Sequence, residues 1–163
     1  MIQEKIFNPA DVITMKEKND LIDFLYEHLD DYGDRKEHIA KAIEYAMNPY
    51  PLAGGFVLQE TENDKIIGAL VMNKTGMEGY IPENIIVYIA VHRDYRGKGV
   101  GRMLMEKSIK LAKGDIALHV EHNNPANFLY RKIGFENPYL EMRYYKNGKP
   151  SKNAAGTTNE NRP

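Results

Sequence analysis

Apolar residues return at helical spacing twice near the start of the chain. Leu21, Ile22, Leu25, Tyr26 and Leu29 form one run, and Ile39, Ile43, Ala46 and Met47 form a second, closed by Asn48 and Pro49. Two amphipathic helices are predicted there. Residues 55–59 and 66–73 are dense in apolar and β-forming side chains instead, and Glu62, Asn63 and Asp64 between them supply turn chemistry, so a hairpin is expected. From Ile85 to Val91 odd and even positions are both apolar, which suits a strand covered on both faces in the middle of a sheet. Val100, Leu104, Met105, Ile109, Leu111 and Ala112 then mark one broad helical face. Residues 115–121 read as a strand, 124–133 as a helix capped by Gly134, and 140–145 as a last strand. The predicted order is αα-ββ-β-α-β-α-β. A single helix joins strands 85–91 and 115–121, so these should lie parallel through a right-handed crossover in an otherwise mostly antiparallel sheet flanked by helices.

Length and composition narrow the class. At 163 residues, with 42% hydrophobic and 28% charged, the chain should build one core. One domain over 1–149 is expected, and 150–163, small and polar with nothing to bury, reads as a disordered tail or a vector-derived remnant. Zero cysteines exclude disulfides, thiolate zinc sites and a cysteine nucleophile. With 22 Lys+Arg against 23 Asp+Glu, whole-molecule attraction to nucleic acid or an anionic membrane is not indicated. The N-terminus lacks a charged region followed by an apolar one, and no apolar run approaches the ~20 residues of a membrane span. A cytoplasmic protein is expected, monomeric or homodimeric.

Candidate chemistry begins after strand 85–91. A glycine loop between a buried strand and a helix presents backbone N–H groups and the positive end of a helix dipole to an anion, typically a phosphate. Arg96, Gly97, Lys98, Gly99, Val100, Gly101 and Arg102 make that loop, and the local balance over residues 92–113 is +5, seven basic against two acidic. The P-loop spacing is absent, and the dinucleotide G-x-G-x-x-G fails at Arg102. What stands is Arg96-x-x-Gly99-x-Gly101, which resembles the acetyl-CoA signature [QR]-x-x-G-x-[GA] of the GCN5-related N-acetyltransferases. A second stretch, from Leu118 through Asn123 to Leu129, Tyr130, Gly134 and Phe135, is similar to that family's strand, Asn and L-Y-x-x-x-G-F helix. The close match covers residues 85–135, and the surrounding element order agrees with it.

The resemblance implies a GNAT-like fold in which the parallel pair splays apart, and acetyl-CoA as donor, its pantetheine bonded to backbone at Ala90 and Val91. It also implies direct attack by a primary amine of a small molecule or peptide N-terminus. Backbone N–H groups of the central strand would face the developing oxyanion. Tyr130 matches the tyrosine that protonates or hydrogen-bonds the departing sulfur. Asn123 matches the family Asn at the cofactor, with Asn124 as a second contact or a helix cap. The base is less defined: position 85 is Ile where some relatives carry Glu, leaving Glu83 first and Glu121 second, with His92, His119 and His122 as further choices. His119 and His122 differ by an odd number along a strand, so they should face opposite ways and share no metal.

Residues 20–37 carry seven acidic against two basic side chains, a balance of −5, which favours a cationic amine if it is more than a solvated helix face. The competing class is a non-catalytic acyl-CoA sensor or interaction module of the same fold, which the retained Tyr130 argues against.

Overall fold

The computed structural model describes residues 1–150. Three layers are built around a five-stranded sheet in the order β1-β2-β3-β4-β5. The strands are β1 (Ile2–Phe7), β2 (Gly55–Glu62), β3 (Lys65–Lys74), β4 (Asn84–Val91) and β5 (Ile116–Leu118); all neighbours are antiparallel except β4 and β5. The fold is the mixed sheet with one parallel pair that the residue pattern predicts. Helices α1 (Met15–His28) and α2 (Lys36–Ala46) cover one face, α3 (Val100–Leu111) and α4 (Ala126–Ile133) the other.

Local chemistry explains the boundaries. Thr14 caps α1 reciprocally with Glu17: the Glu17 N–H donates to Thr14 Oγ1 at 3.2 Å while the Thr14 N–H donates to Glu17 Oε2 at 2.9 Å. From Ile67 to Met72 β3 is buried at every position, because alternate side chains enter opposite layers: Ala69 and Val71 meet α1 and α2, while Leu70 and Met72 meet α3. At Gly68 a Cβ would stand 2.8 Å from Val100 and 2.9 Å from Leu104, so the missing side chain lets α3 approach the sheet.

Three expectations are corrected. β1 carries no strong pattern, since four of its six residues are exposed, yet it pairs along β2 from Ile2↔Glu62 to Phe7↔Val57 and buries Phe7. Strand 115–121 contracts to Ile116–Leu118. Residues 140–145 form no strand among the described residues; Leu140, Met142 and Tyr144 are more than four-fifths exposed, and alternation without a paired edge does not make a sheet. The expected tail falls, apart from Pro150, outside the described residues. No helix among them is long and apolar enough to cross a membrane.

Candidate functional site

The parallel pair is fastened at one end and open at the other. Pairing runs from Asn84↔Ile116 to Ile86↔Leu118 and then stops, although β4 continues to Val91. At the fastened end the buried Asn84 side chain donates to the carbonyls of Lys113 (2.8 Å) and Asp115 (3.2 Å), and Glu83 accepts the Asp115 N–H at 2.7 Å. Beyond Ile86 a bulge in β4 breaks the alternation. Tyr88 pairs with Val71 and Ile86 with Met72, so Val87 is extra, and both Val87 and Tyr88 turn toward the α1–α2 layer.

A cavity of about 60 Å³ sits where the two strands part. It is lined by Leu29, Tyr32, Ile86, Val87, Tyr88, Ile89, Leu118, His119, Asn124 and Tyr130. Tyr130 is 7% exposed, and burial pushes its phenol up to about 12, so the group keeps its proton. The motif around it has a local cause: Gly134 ends α4 at φ +114°, and the Gly134 and Phe135 N–H groups both return to the Tyr130 carbonyl (3.2 and 3.0 Å). Phe135 is thereby folded back against the Tyr130 ring, 6.1 Å between centroids.

Among the expected cofactor residues, Gly97 and Gly99 adopt φ of +72° and +88°, and a Cβ at either would meet nothing within 4 Å. The loop is open above its glycines. Gly99 precedes the first turn of α3, where the N–H groups of Val100, Gly101 and Arg102 have no carbonyl one turn back within the helix. The Val100 side chain is buried, so only its backbone faces that opening. Gly101 has ordinary φ, and its Cβ would stand 3.4 Å from Leu129 and 3.5 Å from Val91, a snug contact rather than a clash. Lys98 lies over the Tyr95 ring at 5.2 Å. This cradle of N–H groups and one lysine fits a diphosphate.

Two arginines have other tasks here. Arg96 pairs with Asp30 (2.9 Å), donates to the His28 carbonyl (2.9 Å) and reaches the Val91 carbonyl (3.3 Å). Arg102 pairs with Glu106 at 2.7 Å on the helix surface. Ala90 is buried and points into the α1–α2 layer. Asn123 is exposed and offers its carbonyl to the Tyr32 hydroxyl at 3.1 Å. Asn124 lines the cavity, with its Oδ1 accepting the Ala126 N–H at 2.9 Å.

Glu83 is not brought to Tyr130. It lines a separate hollow of about 400 Å³ at the start of β4, which shares no residue with the tyrosine cavity, and the Asp115 N–H holds its carboxyl below the usual range. His119 joins Tyr130, whereas His92 and His122 do not line the cavity. The acidic stretch is largely spent: Asp20 pairs with Lys16, Asp23 with Lys36 and Asp30 with two arginines, while Asp34 accepts the Tyr88 hydroxyl at 2.6 Å. Sequence reasoning missed Tyr32 and Tyr88, and it read Asp34 as part of an acidic face toward a cationic amine where the structure has it accept the Tyr88 hydroxyl. They come from segments far apart in the chain, and only the bulge at Val87 aims Tyr88 toward the α1–α2 turn.

Residues 53–137, just over half of the chain, match the family described as the acetyltransferase (GNAT) domain. The chain is 28% identical over 121 residues to N-alpha-acetyltransferase 30 of Schizosaccharomyces pombe, covering 71% of this chain and 79% of that protein. It is 34% identical over 98 residues to the [ribosomal protein bS18]-alanine N-acetyltransferase of Haemophilus influenzae, covering 58% of this chain and 62% of that one. Among solved structures, PH1933 from Pyrococcus horikoshii superposes with a TM-score of 0.61 at 28% identity, over 86% of this chain and 93% of that one.

Proposed function

The chain belongs to the GNAT acetyltransferase family, and from that premise we propose that it moves an acetyl group from acetyl-CoA to the α-amine of a peptide. The observation that carries this is the composition of the cavity at the strand gap. It holds Tyr130 and His119 and not one Asp or Glu. An α-amine titrates near ~8 and a lysine amine near ~10.4. A site whose lining offers an exposed imidazole and no carboxylate suits the more weakly basic amine, already partly neutral at physiological pH. The named activities of the curated relatives, an N-alpha-acetyltransferase and an alanine N-acetyltransferase, support the same choice.

Bound acetyl-CoA supplies a thioester carbonyl as the electrophile. The cradle from Gly97 to Arg102 holds the diphosphate through backbone N–H groups, with Lys98 adding charge. Past Ile86 the β4 backbone faces the gap rather than a β5 partner, and it can take a ligand's amides and oppose charge on the carbonyl oxygen. His119 accepts the amine proton, and Asn124 lines the same wall.

Tyr130 holds a proton at its hydroxyl. At about 12 the phenol is a weaker acid than a thiol near ~8.5, so it stabilises the departing sulfur by hydrogen bonding more than by complete proton transfer. A panel of peptides with free N-termini, lysine side chains and small polyamines, assayed by free-thiol release and product mass, tests the reading. Release with N-terminal acetylation is expected; acetyl-CoA binding without release on any amine would leave a sensor instead.

A further inference from the structure

The turn between α1 and α2 makes three ties, each to a different part of the site. Asp30 holds Arg93 (3.0 Å) and Arg96 (2.9 Å) of the segment between β4 and α3. Tyr32 donates to the Asn123 carbonyl beyond β5, and Asp34 accepts from Tyr88 on β4. Leu29 and Tyr32 line the tyrosine cavity itself. The turn thus crosses the gap from one parted strand to the other. The Asp30 end is the most heavily fastened. Arg93 also donates to the Glu27 carbonyl (3.2 Å) and Arg96 to that of His28 (2.9 Å), so the same two guanidiniums satisfy the last carbonyls of α1. Asp30 has φ +53°, a left-handed conformation that a non-glycine residue holds only when its surroundings fix it.

Building on the acetyl-transfer reading, we infer that Asp30 is a positioning residue for the acceptor: through Arg93 and Arg96 it fixes residues 29–34 as a strap across the mouth of the gap. The Arg96 donors are directed to Asp30 and to backbone carbonyls, which leaves the donor's diphosphate to the N–H cradle and Lys98. Acceptor affinity should therefore depend on Asp30, and donor affinity should not.

The test variant is Asp30→Asn, because asparagine tolerates the left-handed backbone and removes only the charge. An exposed ion pair is worth up to about 1 kcal/mol, or about fivefold. With two pairs lost, KM for the peptide should rise about fivefold or more, while the acetyl-CoA Kd by calorimetry stays within about twofold. Tyr32→Phe, which cuts the opposite tie, should raise KM likewise, and the double variant should cost less than the product of the singles. An unchanged KM, a matching loss of acetyl-CoA affinity or strictly multiplicative effects would each overturn the strap. Hydrogen exchange on the protein without substrates judges it independently of catalysis. Asp30→Asn should speed exchange in residues 29–34 and leave β3 protected. Unaltered exchange there would refute the strap even in an active enzyme; faster exchange in Asp30→Asn, alongside a wild type inactive on every amine, would keep the strap and sink the acetyl-transfer reading.

Discussion

Two hollows lie along β4, and the larger is the less equipped for chemistry. The hollow of about 400 Å³ at its N-terminal end has Lys74, Glu78, Glu83 and Lys113 on its walls, but the Glu83 carboxylate and the Asn84 amide are consumed in tying β4 to the start of β5. The cavity of about 60 Å³ has no ionised carboxylate, yet it opens where strand pairing ends and gathers Tyr130, His119, Tyr32 and Tyr88. Concavity alone does not identify a site. What distinguishes the smaller one is backbone without a strand partner beside a phenol that burial keeps protonated.

Replacement of Tyr130 by Phe breaks that comparison most directly. The ring and its contact with Phe135 remain, so melting should hardly change, while kcat should fall about 10²-fold, the low end for acid catalysis, because a thiolate needs little help to leave. Acetyl-CoA affinity should stay constant. An unchanged kcat would reduce Tyr130 to packing and the small cavity to a flaw in the core.

Next in size is Gly99→Val. Its φ of +88° is a conformation a β-branched side chain resists, and the added atoms would project into the open space above the cradle. Acetyl-CoA binding should weaken about tenfold, about 1.4 kcal/mol, by calorimetry on folded protein. Gly101→Ala is the contrast: with ordinary φ and contacts of 3.4 and 3.5 Å, it should cost far less. Equal losses at both positions would mean that the loop's shape is not what binds.

Much of this was legible in the residues themselves. The period of apolar positions gave the first three helices, Gly134 marked the end of the fourth, turn chemistry gave the hairpin and the single-helix crossover gave the parallel pair, while the spacing of Arg96, Gly99 and Gly101 pointed to the glycine loop. β1 was not legible, because an edge strand that buries little more than Phe7 carries almost no alternation. Residues 140–145 misled for the opposite reason: their alternation is good, but pairing is a property of two strands. The Asp30 and Tyr88 contacts were invisible because they depend on a helix end and a bulge. The placement of Glu83 was equally hidden, since nearness in sequence to β4 says nothing of which end of the strand carries the gap.

Glu83→Gln sharpens the comparison from the other hollow. The amide keeps an oxygen to accept the Asp115 N–H but loses the charge, so the start of the β4–β5 pair should loosen and the melting temperature should drop. The kcat should change less than about threefold, since a base contributes about 10²-fold or more. A drop of that larger size would carry the proton-accepting role to Glu83 and unite the two hollows in one mechanism.

The smallest effect on turnover is expected at Glu60, which touches neither hollow. Its carboxyl is 2% exposed, faces Glu4 across the β1–β2 ladder and is pushed up to about 7 by burial and by Glu4, against which Lys107, paired with Glu4 at 2.8 Å, acts only weakly. In the unfolded chain the same group releases its proton near its ordinary value of 4.5. Between those values the folded state holds a proton that the unfolded state has lost, so stability is greatest below that window and falls as pH rises through about 7. At about 1.4 kcal/mol per pKa unit the loss is at most about 3 kcal/mol, several degrees in Tm. Glu60→Gln should flatten the decline of Tm from pH 5 to pH 8 while leaving the pH dependence of kcat at 25 °C as in the wild type. That separation matters for the small cavity, because a fall of stability near neutrality would otherwise be read as a limb of kcat. If the limb of kcat moves with Glu60→Gln, the ionisation that governs turnover lies under α3 and not at the gap between the strands.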